Sequence, residues 1–162
     1  MTWYPLDPAD DAFLRTAPAI TTKVIEVPVP VETLWQALAA DDAVVSWGPG
    51  ATKVRWQGER PYGVGTIREV TVGGAVTVRE KFYRWDENER MTFAVTESTK
   101  PGIRRFAEDY VVESTPTGSK LTWTVAVEVA KFAGPSAVIV KQGLSLAVGS
   151  MINGLKKKLE AR

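Results

Sequence analysis

In the run GVGTIREVTVGGAVTVREKFYRWDENERMTF (63–93), Arg68 and Glu80 fall in the same two-residue phase as Val70, Val72, Val76 and Val78. Strand alternation puts all six on one face. A guanidinium and a carboxylate among valines have two readings: an ion pair that fixes strand register, or the polar end of a ligand cavity. Further along, Glu108 and Tyr110 share a face with Phe106 and Val112. A carboxyl group in such surroundings has its pKa raised by desolvation, which makes Glu108, with Glu80 second, the candidate acid or base. The plainer readings are a strand twist that turns Glu108 to water and a core ring for Tyr110 whose hydroxyl finds a partner.

What is absent narrows the chemistry further. The 162 residues include no Cys and no His. Thiol nucleophiles, disulfides, imidazole bases, Ser-His-Asp triads and Cys- or His-ligated metals are thereby excluded. No metal site and no cofactor are expected, and proton transfer must run through Glu, Asp, Tyr, Lys or water. The net charge of +1 implies no nucleic-acid field. No continuous apolar run reaches the roughly 18 residues of a membrane span, and MTWYPLDPADD lacks a basic start and an apolar stretch, so a cytoplasmic protein without stable membrane association is expected, as monomer or homodimer.

The elements that must position these residues follow from pattern. One domain is expected over 1–162, with 1–19 as an extension. There Asp7 caps a short helix with Pro8 at its first position, and Trp3, Tyr4, Phe13 and Leu14 close one end of the core or gate a pocket. Ile20–Val27 is β-branched and reads as a strand. A helix follows Pro30 with Leu34, Trp35 and Leu38 inward, AVVSWGPG holds a second short helix, and Ala51–Gln57 is a strand. Five consecutive strands come next, about Gly65–Val72, Ala75–Trp85, Arg90–Ser98, Arg105–Thr115 and Lys120–Ala130, joined by turns rich in Gly, Asn, Asp and Pro. From about Pro135 to Glu160, Val140, Leu144, Val148, Met151, Leu155 and Leu159 recur at helical spacing, and the Lys156–Lys158 run is a solvated helix end.

Turn lengths then fix the register. The GGA turn pairs Val72 with Val76, Val70 with Val78 and Arg68 with Glu80. DENE pairs Glu80 with Val95 and Phe82 with Phe93; TPTG pairs Val112 with Leu121, Tyr110 with Trp123 and Glu108 with Val125. One face is then apolar except for Arg68, Glu80, Glu108 and Tyr110. The predicted fold is α+β: a curved antiparallel sheet of about seven strands wrapped around a long C-terminal helix, the helix-grip arrangement.

This order over about residues 20–160, with G-V-G-T-I-R-E-V, Arg79-Glu80, D-E-N-E and Glu108-Asp109-Tyr110, resembles the helix-grip superfamily often called SRPBCC or START-like. It includes lipid-transfer domains, birch-pollen-allergen-like proteins, polyketide cyclases and the plant abscisic acid receptors. The resemblance implies a cavity between sheet and C-terminal helix, lined by residues matching Glu80, Tyr110 and Lys53. The receptors' Ser-Gly-Leu-Pro gate is absent, so hormone-style gating is not implied. The expected partner is a small hydrophobic molecule, lipid- or polyketide-like. Arg68, Glu80, Glu108, Tyr110 and Lys53 would orient it, and Phe82, Phe93, Phe106, Trp123, Leu144 and Val148 would hold its carbon body. The alternatives are a cyclase/dehydratase-type enzyme, in which Glu108 or Glu80 moves a proton, and an interaction or chaperone-activating module that uses the outer sheet face.

Overall fold

The computed structural model describes residues 1–131 and 136–161. In chain order the elements are β1 (Tyr4–Pro5), α1 (Asp11–Thr16), β2 (Ala19–Val27), α2 (Val31–Ala39), β3 (Ala51–Gln57), β4 (Ile67–Val72), β5 (Val76–Asp86), β6 (Arg90–Ser98), β7 (Ile103–Thr115), β8 (Gly118–Val129) and α3 (Ala137–Glu160). The sheet runs β2-β8-β7-β6-β5-β4-β3, all antiparallel, with β1 added to β6. Gly73 and Gly74 both take positive φ, 62° and 68°, which lets β4 return at once as β5. Every cross-strand pair predicted from the turns is present: Arg68 opposite Glu80, Phe82 opposite Phe93, Glu108 opposite Val125 and Tyr110 opposite Trp123.

The concave face of the sheet carries the core. Val70, Phe82, Met91, Phe93, Val112, Leu121, Trp123, Val125 and Val127 are buried there against Leu34, Trp35 and Leu38 of α2 and Val148, Ile152, Leu155 and Leu159 of α3. The helix α2 lies across β7 and β8, and α3 packs mainly along β2. Two glycines set how closely the 40–50 loop meets α3: a methyl on Gly154 would overlap the Trp47 carbonyl, and one on Gly48 would meet Met151.

Four departures have physical reasons. The first helix is capped by Asp10, whose side chain accepts from the Phe13 N–H at 3.0 Å, because Asp7 is taken by Arg104 at 2.9 Å. The extension neither closes the core nor gates it. It crosses the convex face, where Phe13 and Leu14 form a second small core with Ala107 and Ala126. Its residues also fill a split in the sheet: β7 pairs with β6 only as far as Ala94, and beyond that the Leu6 N–H bonds Thr96 O and the Asp7 N–H bonds Arg104 O. The AVVSWGPG segment is a run of turns rather than a helix.

The fourth departure is in α3. Pro135, given as its start, lies outside the described residues; the helix begins at Ala137 with Ser136 as cap. Lys141, Gln142 and scattered Ser and Gly break up the apolar residues, so no continuous run stands out in the sequence. Even so, α3 is long and apolar enough, by length and composition, to cross a membrane, and only 17% of its most apolar window is buried. The buried residues all lie from Val148 onward.

Candidate functional site

Arg68 is the largest fully buried side chain among the described residues. Its Nε donates to Glu80 Oε2 at 2.6 Å, and the remaining two nitrogens, Nη1 and Nη2, have no hydrogen-bond partner. Above and around the guanidinium lie three rings: its central carbon is 5.2 Å from the Trp56 centroid, 5.3 Å from Phe82 and 5.1 Å from Phe93. These π faces offset part of the desolvation of the cation. They do not replace the missing acceptors, and a buried unpaired polar group costs about 1–3 kcal/mol.

The two carboxyl groups differ in their partners. Glu80 has its pKa raised by burial, with Arg68 acting in the opposite direction. Glu108 is pushed up to about 8, first by burial and then by the negative field of Glu80; the Trp123 indole, donating to its Oε1 at 2.8 Å, pulls the other way. Glu108 is therefore mostly neutral at pH 7 and can donate as well as accept. Tyr110, buried beside them, has its hydroxyl held well above the ordinary phenol value by burial and by Glu108. Arg68 keeps its proton: burial disfavours the charge, and Glu80 and Tyr110 more than compensate. The cluster thus presents donors at four places: Nη1, Nη2, the Glu108 carboxyl and the Tyr110 hydroxyl.

Most of the predicted site residues converge. Phe82, Phe93, Tyr110 and Trp123 form a continuous aromatic row beside the ionic groups, with neighbouring centroids 4.8 to 5.5 Å apart. Val148 is buried, while Phe106 and Leu144 are half-buried and pack against the core rim. Lys53 does not join them. It is exposed, opposite Thr71 across a strand irregularity, and borders a surface hollow with Met1, Tyr4 and Lys100. The bulge between Ala51 and Lys53 puts it out of phase with the concave face. Trp56 is not among the residues expected from the sequence, yet it sits directly opposite Arg68 in the β3–β4 pairing. Phasing β3 against β4 across the 58–66 connection would have found it. The surface hollows, of about 210 to 630 Å³, are lined by none of Arg68, Glu80, Glu108 or Tyr110. Among the described residues no group of His, Cys, Asp or Glu is arranged to hold a metal ion.

Residues 18–160 match the model of a family described as polyketide cyclase / dehydrase and lipid transport. The chain belongs to that family. An uncharacterized protein of Mycobacterium tuberculosis is 33% identical over 159 residues, 98% of this chain and 95% of the relative, and one from Mycobacterium bovis matches equally. Among solved structures, a START superfamily protein from Mycobacterium smegmatis superposes with a TM-score of 0.74 at 16% identity, over 88% of this chain and 97% of that one. Ara h 8.0201 gives 0.68 at 17% identity, over 88% and 98%. At such identities the structural matches show the helix-grip fold alone.

Proposed function

We propose that the protein binds a small, largely apolar molecule whose single polar end is a hydrogen-bond acceptor, a carbonyl or carboxyl oxygen, seated against Arg68. The observation that carries this reading is the pair of unpartnered nitrogens on a guanidinium that is fully buried. A register-fixing ion pair needs one contact to Glu80, and the fork left over matches a two-acceptor group. The aromatic row from Phe82 to Trp123 supplies carbon surface beside it. The half-buried Val78, Phe106, Val129, Val140 and Leu144 at the core's rim mark the side from which a ligand would enter.

Native mass spectrometry of the protein purified from its own host tests the idea: a retained molecule carrying an acceptor group is expected. In a thermal-shift panel, long-chain carboxylic acids and ketones should raise the melting temperature and the corresponding alkanes should not. Arg68→Lys keeps the charge but loses the fork, so it should abolish that selectivity. Nothing retained, together with a flat panel, would refute the reading.

A second reading rests on Glu108, a buried carboxyl group near pH 8 beside a fixed cation, which is suited to carrying a proton in cyclase or dehydratase chemistry. Glu108→Gln separates the two: a proton carrier loses turnover while affinity is largely spared, and a binding group loses affinity alone.

A further inference from the structure

The net charge of +1 conceals a polarised molecule. Register places the start of β3, the β4–β5 turn, the β6–β7 turn, the end of β8 and the start of β2 at one end of the sheet: Ala51 is opposite Val72, Val72 opposite Val76, Val78 opposite Ser98, Ile103 opposite Val129 and Ala19 opposite Val127. The first turns of α3 lie there too, since Ala137 and Val140 share a hollow with Ala19, Val127 and Lys131. This end carries Lys53, Lys100, Lys131 and Lys141, all exposed and none in an ion pair among the described residues. Its carboxylates are already neutralised: Glu97 by Arg79, Asp7 by Arg104, and Glu128 by Arg104 and Arg105. The opposite end is mixed in sign: exposed Glu59, Asp86, Glu87 and Glu89 lie there, and so does the exposed Lys157 in the last turn of α3.

Exposed apolar side chains gather at the same basic end. Val72, Val138 and Ile139 are 48%, 64% and 60% exposed; Met1 and Tyr4 border the hollow with Lys53 and Lys100, and the exposed Leu146 lies two turns beyond Ile139 on α3. Ile139 and Leu146 are seven residues apart and so lie on one stripe of the helix, opposite the stripe of Val148, Ile152 and Leu155. From Val129 to Leu159 the chain contains no Asp or Glu. A second copy of this face would oppose lysine to lysine, whereas a surface of negative headgroups over hydrocarbon matches both features at once.

We propose that this end is a reversible docking surface for an anionic lipid bilayer, with the first three turns of α3 lying in the headgroup layer and the four lysines over it. The contact is peripheral, neither an anchor nor a span, and it stands independently of the ligand assigned to Arg68. Each lysine near such a surface adds about 1 kcal/mol, roughly fivefold in affinity.

The test is co-sedimentation of the whole protein with vesicles of phosphatidylcholine alone or with about a third phosphatidylglycerol. Expected are binding to the phosphatidylglycerol vesicles only, and weakening by salt. Losses of at least about tenfold are expected for Lys100→Glu with Lys141→Glu and for Ile139→Asp, and little change for Lys157→Glu at the far end of the helix. These positions are exposed, so unchanged thermal melts will show that the variants fold. No binding to phosphatidylglycerol vesicles overturns the proposal, as does equal binding to both lipids or equal loss with Lys157→Glu. It falls also if Ile139→Asp leaves vesicle binding intact but lowers the mass in solution, because the face would then belong to a second copy.

Discussion

Each face of the sheet has an arginine facing buried or half-buried carboxylates, and the two are finished differently. On the convex face Arg84 donates to both oxygens of Asp11 and, at 2.9 Å, to Thr92. Arg90 grips Asp109 with two bonds of 2.9 and 3.1 Å, and Thr92 bonds Asp109 at 2.8 Å. The Tyr83 hydroxyl also reaches Asp11, at 2.8 Å. Each arginine there has two nitrogens with acceptors, no buried atom of the cluster lacks a partner, and the network ties α1 to the sheet. On the concave face Arg68 has one acceptor for three nitrogens. A closed network reads as structural; an open one, deeper and costlier, reads as a place kept for something else.

The largest expected break in this comparison is Glu80→Gln. It leaves Arg68 buried without a counter-charge and unable to shed its proton, so a loss of about 3–5 kcal/mol in chemical denaturation is expected. Arg68→Met should cost less, because Glu80, its pKa already raised, can neutralise itself. Equal losses would show that the two charges are not as unequal as the geometry implies.

Next comes pH, where the two faces should respond with opposite sign. Glu108 binds its proton more tightly folded than unfolded, so its contribution is complete below about pH 4.5 and is lost as pH rises through about 8. Asp11 is held below its ordinary value chiefly by its bond to Arg84, so its contribution is present above about pH 4 and lost as pH falls below that. Melting temperatures across pH 3–9 should therefore flatten at the alkaline side in Glu108→Gln and at the acid side in Asp11→Asn. Smaller still, Asp109→Asn should cost about 1–2 kcal/mol by weakening the grip of Arg90. Asp11→Asn, at a half-exposed pair, should cost no more than about 1 kcal/mol at neutral pH, with faster proteolysis of the first seventeen residues as the more sensitive readout.

How much of this was legible in the sequence depended on how local the determinants are. The concave face was readable because short turns fix register and register fixes every alternate side chain, which brought Arg68, Glu80, Glu108 and Tyr110 together from spacing alone. The convex core was missed although its signal was present. Ala94, Ala107, Ala126 and Ile20 interrupt an otherwise charged face, and that shallow patch is what Phe13 and Leu14 cover. Small residues on a polar face look inert until a distant helix is known to land on them. Trp56 escaped because its partner is reached across an irregular connection, and Lys53, expected in the site only from the family resemblance, pairs with Thr71 on the other face. The bare first half of α3 was hidden for a different reason: helical period says which stripe faces inward, not where the sheet beneath it ends.

The close fit of Gly154 under the Trp47 carbonyl has a mechanical consequence. With no clearance at that seam, the last three turns of α3 are riveted to the loop, whereas the earlier turns are held only through the half-buried Val140 and Leu144. Bending is then confined to one side of a fulcrum near Val148. Amide exchange along this single helix should step from fast to slow at that residue rather than fade evenly toward its ends.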